Sequence, residues 1–246
     1  PDETGDIIFI YSGSGTYGGG IALLNNQILI GQGASASIAA IAGITIPPFS
    51  NTLPSTGGSR PTVGNTSGNV ITLASGNTVR GLNINQTNGI GLFGSSFSIQ
   101  TISEMNIAGS TKAVDISDGS ILNLTLGQVQ VTGSSNGGVR LQSTGGSSSL
   151  SNVNITTTGG TGFLARNSGN LTIAGNSNTI ASTNGTGVDI RDLTIAANII
   201  FQSVGATNGT VGINLDNTGS SGSFTVNGGT LSGHSSDGIK LNNVPG

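Results

Sequence analysis

Seven charged residues, Asp115, Arg140, Arg166, Asp189, Arg191, Asp216 and Lys240, recur at matched positions of a short phrase that the chain repeats. Arginine offers a planar fork of donors suited to gripping a carboxylate at two points, as in a uronic acid. Paired aspartates offer the two carboxylates that glycoside hydrolysis needs at a defined gap. Asp189 and Asp216 fall on adjacent copies of the phrase, diagonally and about 8 Å apart by strand geometry, a gap suited to inversion. Asp189, Asp192 and Asp216 with Arg191 are also compatible with a cation-assisted lyase. Two observations oppose catalysis. Each aspartate has an arginine within reach, which favours the ionised form and spoils a proton donor. The same charges can also pair with one another: Asp115 beside Arg140, Arg191 beside Asp216, Asp189 diagonal to Arg166. Such cross-strand pairs are worth roughly 0.2–1 kcal/mol each. The expected reading is a self-paired, solubilising face; carbohydrate binding by the seven residues is the alternative. No catalytic residue, metal ligand or cofactor is assigned.

The phrase itself is a small residue, an apolar one, a variable one and usually a second apolar one. It appears as Gly89-Ile90-Gly91-Leu92, Ala113-Val114-Asp115-Ile116, Gly138-Val139-Arg140-Leu141, Gly162-Phe163-Leu164-Ala165, Gly187-Val188-Asp189-Ile190, Gly212-Ile213-Asn214-Leu215 and Gly238-Ile239-Lys240-Leu241. The first apolar residues are separated by 24, 25, 24, 25, 25 and 26 positions. Self-similarity at such a period signals a stacked solenoid, and alternation within each copy signals strands. Other strand-like runs follow each copy, such as Leu122-Asn123-Leu124-Thr125-Leu126 and Val129-Gln130-Val131. Three strands per turn of about 25 residues predict an all-β, single-stranded parallel β-helix with three parallel sheets.

Alternation sorts the phrase into inward and outward rows. One outward row reads Thr72, Gly91, Asp115, Arg140, Leu164, Asp189, Asn214, Lys240; the next reads Ala74, Phe93, Ser117, Gln142, Arg166, Arg191, Asp216, Asn242. Seven of these sixteen positions are charged, against 7% of the chain, so charge is concentrated on one sheet.

Composition agrees with a folded β protein. The chain has 43 glycines, which raises the question of disorder. Ile, Val, Leu and Phe nevertheless make up about a quarter of it, above the ~20% below which disorder is the default. The net charge is only −3, so self-repulsion is small. Cysteine is absent, which excludes disulfides and thiolate chemistry. No basic patch suggests nucleic acid, and no apolar run approaches the ~20 residues of a spanning helix. His234, the single histidine, is expected to be exposed in a Gly-Ser turn. Asn83, Asn106, Asn123, Asn152, Asn154, Asn170, Asn198 and Asn227 lie near strand ends, where stacked side chains could bond along the axis.

Two regions are distinguished, 1–62 and 63–246. In the first, Asp6 to Tyr11 predicts a strand, Ser12 to Gly20 a turn holding Tyr17, and Ile21 to Leu24 and Gln27 to Gly31 further strands. Residues 34–42 are Ala-rich, compatible with one short helix or an irregular loop; Pro47, Pro48, Pro54 and Pro61 then exclude regular structure. This insertion is expected to drape over the end of the solenoid as a cap, since a bare end exposes strand edges. From 63 the turns run regularly. The chain opens on Pro1 and stops at Gly246, just after a turn has begun, and is read as part of a longer polypeptide with neighbouring domains. An open C-terminal edge predicts end-to-end self-association.

The opening stretch, Gly5-Asp6-Ile7 through Tyr17, Gly20-Ile21, Asn26-Gln27 and Leu29-Ile30-Gly31-Gln32-Gly33, resembles the first coil of the pectin-lyase-like right-handed parallel β-helix in bacterial autotransporter and haemagglutinin-like surface proteins. The likeness covers some 30 residues closely; the rest agrees in period and composition. It implies a right-handed coil, an extracellular or outer-membrane-surface location, and adhesion or structural presentation toward a host surface or glycan. In the pectin-lyase-like enzymes of this fold, polysaccharide lies along one sheet. The polygalacturonase motifs are not matched: Asn-Thr-Asp, Asp-Asp and Gly-His-Gly are missing, and Gly233-His234-Ser235 with Gly238-Ile239-Lys240 only echoes them within one turn.

Overall fold

The computed structural model describes residues 2–86 and 88–245. It is a parallel β-solenoid of about 10 turns, about 24 residues each, with 55% of residues in strands. Each turn lays its strands directly on those of the turn before, making three walls. One wall, here the charged wall, stacks Ile21–Ala22, Ile71–Thr72, Leu92–Ser95, the starts of Val114–Ser134 and Val139–Ser151, then Phe163–Arg166, Val188–Ile195, Val211–Ser220 and Asp237–Asn242. The second wall begins with Ile7–Ile10, Ile28–Gly31 and Thr78–Arg80. The third begins with Thr16–Gly18, Thr62–Asn65 and Asn83–Gln86.

Inward rows close the interior. On the charged wall Leu92, Val114, Val139, Phe163 and Val188 stack in one row and Ile116, Leu141, Ala165, Ile190 and Leu215 in the next, all buried. The expected apolar ladder is therefore present. Its N-terminal anchor is not Ile90, however. Leu92 pairs with Ile71 and Val114, and Phe93 pairs with Thr72 and Asp115. Phe93 thus belongs to the first outward row and Ser95 to the second, where Gly91 and Phe93 were expected. Turn length shortens at this point, so a fixed period of about 25 misplaces the copy by two residues; a shift by two preserves alternation and leaves no trace in the pattern.

Corners explain much of the polar composition. After the charged wall the chain turns through Ser96, Asp118, Ser143, Asn167, Asp192, Asn217 and Asn243, each in the left-handed region. Asn and Asp tolerate this region because their side chains bond locally. Stacked amides do run along the axis, though largely on other residues than expected. Asn243 Nδ2 donates to Asn217 Oδ1 at 2.7 Å and Asn217 Nδ2 to Asp192 Oδ1 at 2.8 Å. At the corner before the second wall, Gln27, Asn77 and Gln100 are buried, and Asn77 Nδ2 donates to Leu24 O at 2.7 Å in the turn below. An inward amide that satisfies a corner carbonyl removes the cost of burying that carbonyl.

Thr16–Gly18, expected as part of a turn, is a strand because Thr62–Asn65 of the next turn supplies its partner. The stretch 34–62 contains one short helix, Ile38–Ala42, with Ser37 Oγ accepting from Ala40 N and Gly43 closing it at φ 66°. Ile38 and Ala34 pack with Ile30 against Phe9, Ile28 and Ile41. These are outward residues of the second wall, since Leu29 points into the main core. The helix therefore lies on the side of the first turns. The excursion returns where it left: Gly57 N donates to Ala34 O and Gly58 N to Gln32 O. Gly81 is required beneath this junction, for its φ is +73° and a Cβ there would sit 2.2 Å from Ala34 N.

Candidate functional site on the charged wall

Each charged side chain is carried by the strand that follows a Gly or Ala, and the parallel register sets its neighbours. Asp115 lies against Arg140, Asp189 against Leu164 and Asn214, and Arg191 against Arg166 and Asp216. All seven predicted residues do lie on one wall. They are not equally accessible. Asp115 is 7% exposed and Asp189 2% exposed although both point outward, because long side chains from their own and adjacent turns lie across them.

Around Asp115, Lys112 Nζ approaches Oδ2 at 2.8 Å and Arg140 Nη1 approaches Oδ1 at 2.6 Å. Arg140 also donates to Gln142 Oε1 from Nε and Nη2. Around Asp189, Arg191 Nε donates to Oδ1 at 2.6 Å and Nη2 to Oδ2 at 3.1 Å, while Arg166 Nη2 donates to Oδ2 and Asn214 Nδ2 to Oδ1 at 2.9 Å. Burial alone pushes the Asp189 carboxyl up. The hydrogen bonds from Arg166, Arg191 and Asn214, with the charge of Arg166, outweigh it and hold the group below the usual carboxylate range. Asp189 is thereby an ionised anchor and unsuited to proton donation.

Two expected pairs, Asp115–Arg140 and Asp189–Arg166, are present. The expected Arg191–Asp216 pair is replaced: Arg191 turns back to Asp189 on its own strand, and Asp216 accepts from Asn242 at 2.7 Å. Lys240 lies on the exposed strand Asp237–Asn242 and makes no ion pair among the described residues. Asp192 is at the corner with Asn217, and no group of three metal-ligating side chains occurs among the described residues.

Sequence reasoning missed Lys112, which precedes the strand and so lies outside the alternating rows, and Asn214, an uncharged member of the row whose amide serves the carboxylate below. It also missed a pair off this wall. Glu104, at φ 56°, joins Arg80 at 2.9 Å and accepts from Ser35 N at 3.2 Å, tying the excursion to the third and fourth turns. His234 is not the exposed side chain expected: both ring nitrogens are buried without a hydrogen-bond partner, beside Gly212.

Fold and wall together define a parallel β-solenoid with a self-paired charged face. Comparison with protein-family models, curated proteins and solved structures finds no match to the chain.

Proposed function

We propose that the chain is a non-catalytic extracellular scaffold, a spacer segment of a bacterial surface or secreted protein that serves adhesion or structural presentation, built on the right-handed pectin-lyase-like β-helix its opening coil resembles. The observation that supports this reading is the engagement of Asp115 and Asp189 within the wall. Four cations and one amide converge on two buried carboxylates, and three of them, Arg140, Arg166 and Asn214, reach across from adjacent turns. Such pairing fixes the register between turns, because a slip would place like charges together. The reading also rests on the uninterrupted stacking, which gives a stiff rod suited to holding other domains at a distance.

The alternative is a polysaccharide-binding or polysaccharide-cleaving wall. Arg140 and Arg166, whose side chains are 32% and 37% exposed, offer the guanidinium surface on this face that favours it. Incubation with polygalacturonate and a glycan array separates the two. The scaffold reading expects no turnover; turnover abolished by Asp216→Asn would refute it and establish the wall as an active site.

The strand Asp237–Asn242 is exposed throughout, with Ile239 57% and Leu241 62% exposed. These residues continue the inward rows of Ile213 and Leu215 and line, with Phe224 and Leu231, a 700 Å³ apolar hollow. An uncovered strand edge of this kind recruits another strand. The 246-residue chain is expected to associate at high concentration, and a Leu241→Lys variant to associate at least tenfold less strongly by sedimentation velocity. A parent that stays monomeric at high concentration would remove self-association from the proposal.

A further inference from the structure

The excursion 34–62 is clipped at its base and bare at its tip. The helix Ile38–Ala42 seats one arm on the second wall, and the bonds from Gly57 N to Ala34 O and from Gly58 N to Gln32 O close the neck. Between helix and neck, residues 43–53 are all exposed. They include four large apolar side chains, Ile44, Ile46, Phe49 and Leu53, of which Phe49 is fully exposed. No Asp, Glu, Lys or Arg occurs anywhere from Ile7 to Ser59.

The backbone at the tip is unusual for the residue it carries. Ser50 N donates to Pro47 O at 3.3 Å, so residues 47–50 form a turn with Pro48 second and Phe49 third, at φ 68°. A left-handed third position in such a turn calls for Gly or Asn. Every other non-glycine residue at positive φ among the described residues is Asn, Asp, Ser or Glu. A bulky side chain is strained there, and a ring that is fully exposed recovers nothing from the rest of the chain. Strain that no internal contact offsets points to a contact outside the chain.

We propose that the tip around Phe49 dips into the interface of a phospholipid bilayer. Insertion requires apolar side chains and few backbone groups left without water. The turn meets both conditions. Pro47 and Pro48 have no N–H, and the N–H of Ser50 is already bonded to Pro47 O, which leaves only that of Phe49 to be dehydrated. A protein partner is the poorer fit, since it would need a pocket shaped to a tip that is bare all round, whereas acyl chains conform to it. With no Lys or Arg on the loop, attraction to anionic lipid plays no part, and zwitterionic lipid suffices. A few side chains at the acyl boundary give weak, reversible binding, with an association constant on the order of 10⁴ M⁻¹ or less, as for a single lipid chain. The inference does not depend on the scaffold reading.

Flotation with phosphatidylcholine vesicles at millimolar lipid tests this. The 246-residue chain should float with the vesicles, and Phe49→Gly should weaken the binding at least tenfold. Because glycine accepts the left-handed position, the same variant should unfold at the parent's midpoint or above it, a result that a structural role for the ring would reverse. Ile46→Ser/Leu53→Ser, which leaves the turn intact, should weaken binding as well. The chain contains no Trp, so Phe49→Trp places a single reporter at the tip, and its emission should shift to the blue on adding vesicles. Leu241→Lys should float as the parent does. No flotation, flotation that requires anionic lipid, or flotation undiminished in folded Phe49→Gly overturns the proposal. So does flotation lost in Leu241→Lys, which would place binding at the C-terminal hollow. Absence of vesicle binding together with weaker self-association of Phe49→Gly in sedimentation velocity would instead assign the tip to a second copy of the chain.

Discussion

Val188→Asp is expected to cost about 4 kcal/mol or more, the range reached when a charge is buried without a partner. Val188 is fully buried, between Phe163 of one turn and Ile213 of the next. Its strand neighbours point outward, so Arg166 and Arg191 cannot swing in to neutralise the new carboxylate. In a solenoid each turn contacts only its neighbours, so the damage should be greatest in the adjoining turns and fall off toward the N-terminus. Urea unfolding gives the size of the loss, and hydrogen exchange its location. A loss below about 1 kcal/mol would mean that the inward row has been assigned to the wrong face.

The second large effect is expected at the Asp189 cluster. Removing both arginines, in Arg166→Ala/Arg191→Ala, takes away the cations and also the stems that keep Asp189 at 2% exposure, leaving a partly rehydrated carboxylate with Asn214 as its remaining partner. A carboxylate left fully buried would cost about 3–5 kcal/mol; with water readmitted the loss should be about 2–3 kcal/mol. Replacing the aspartate instead, in Asp189→Asn, leaves two guanidinium groups with roughly a third of each side chain in solvent. They can rehydrate, so this loss should be about 1–2 kcal/mol. The order of the two losses is the informative result: if Asp189→Asn were the more damaging, Asp189 would not be the buried member of the cluster.

The sign of the pH dependence follows from the same geometry. The folded-state value of Asp189 is depressed. Its contribution to stability is then complete above the unfolded value of ~3.9 and is lost as pH falls through the folded one. Glu104 is also depressed: burial pushes it up, and the bonds from Ser35 and Arg80 outweigh that. Acid should therefore weaken both the wall and the tie that holds the excursion. In Arg166→Ala/Arg191→Ala the favourable charge is gone, so its stability should fall less steeply below pH ~4 than the parent's.

The sequence by itself determined that the chain is a parallel β-solenoid and, on the charged wall from Val114 onward, which apolar residues face inward. Both are local properties: alternation of two and repetition near 25 can be read without knowing any contact. It also determined that charge gathers on one wall, because register in a parallel stack follows from the repeat. Tertiary structure decided the rest. The place of Phe93 depended on how far each corner of the first turns extends, and corner length is set by which left-handed residues close it. The partner of Arg191 depended on a competition between Asp189 on its own strand and Asp216 one turn on; register allowed both, and the buried carboxylate, stripped of water, holds the guanidinium more strongly. Outward direction implied access to solvent for Asp115 and Asp189, yet arginine and lysine stems from their own and neighbouring turns cover them.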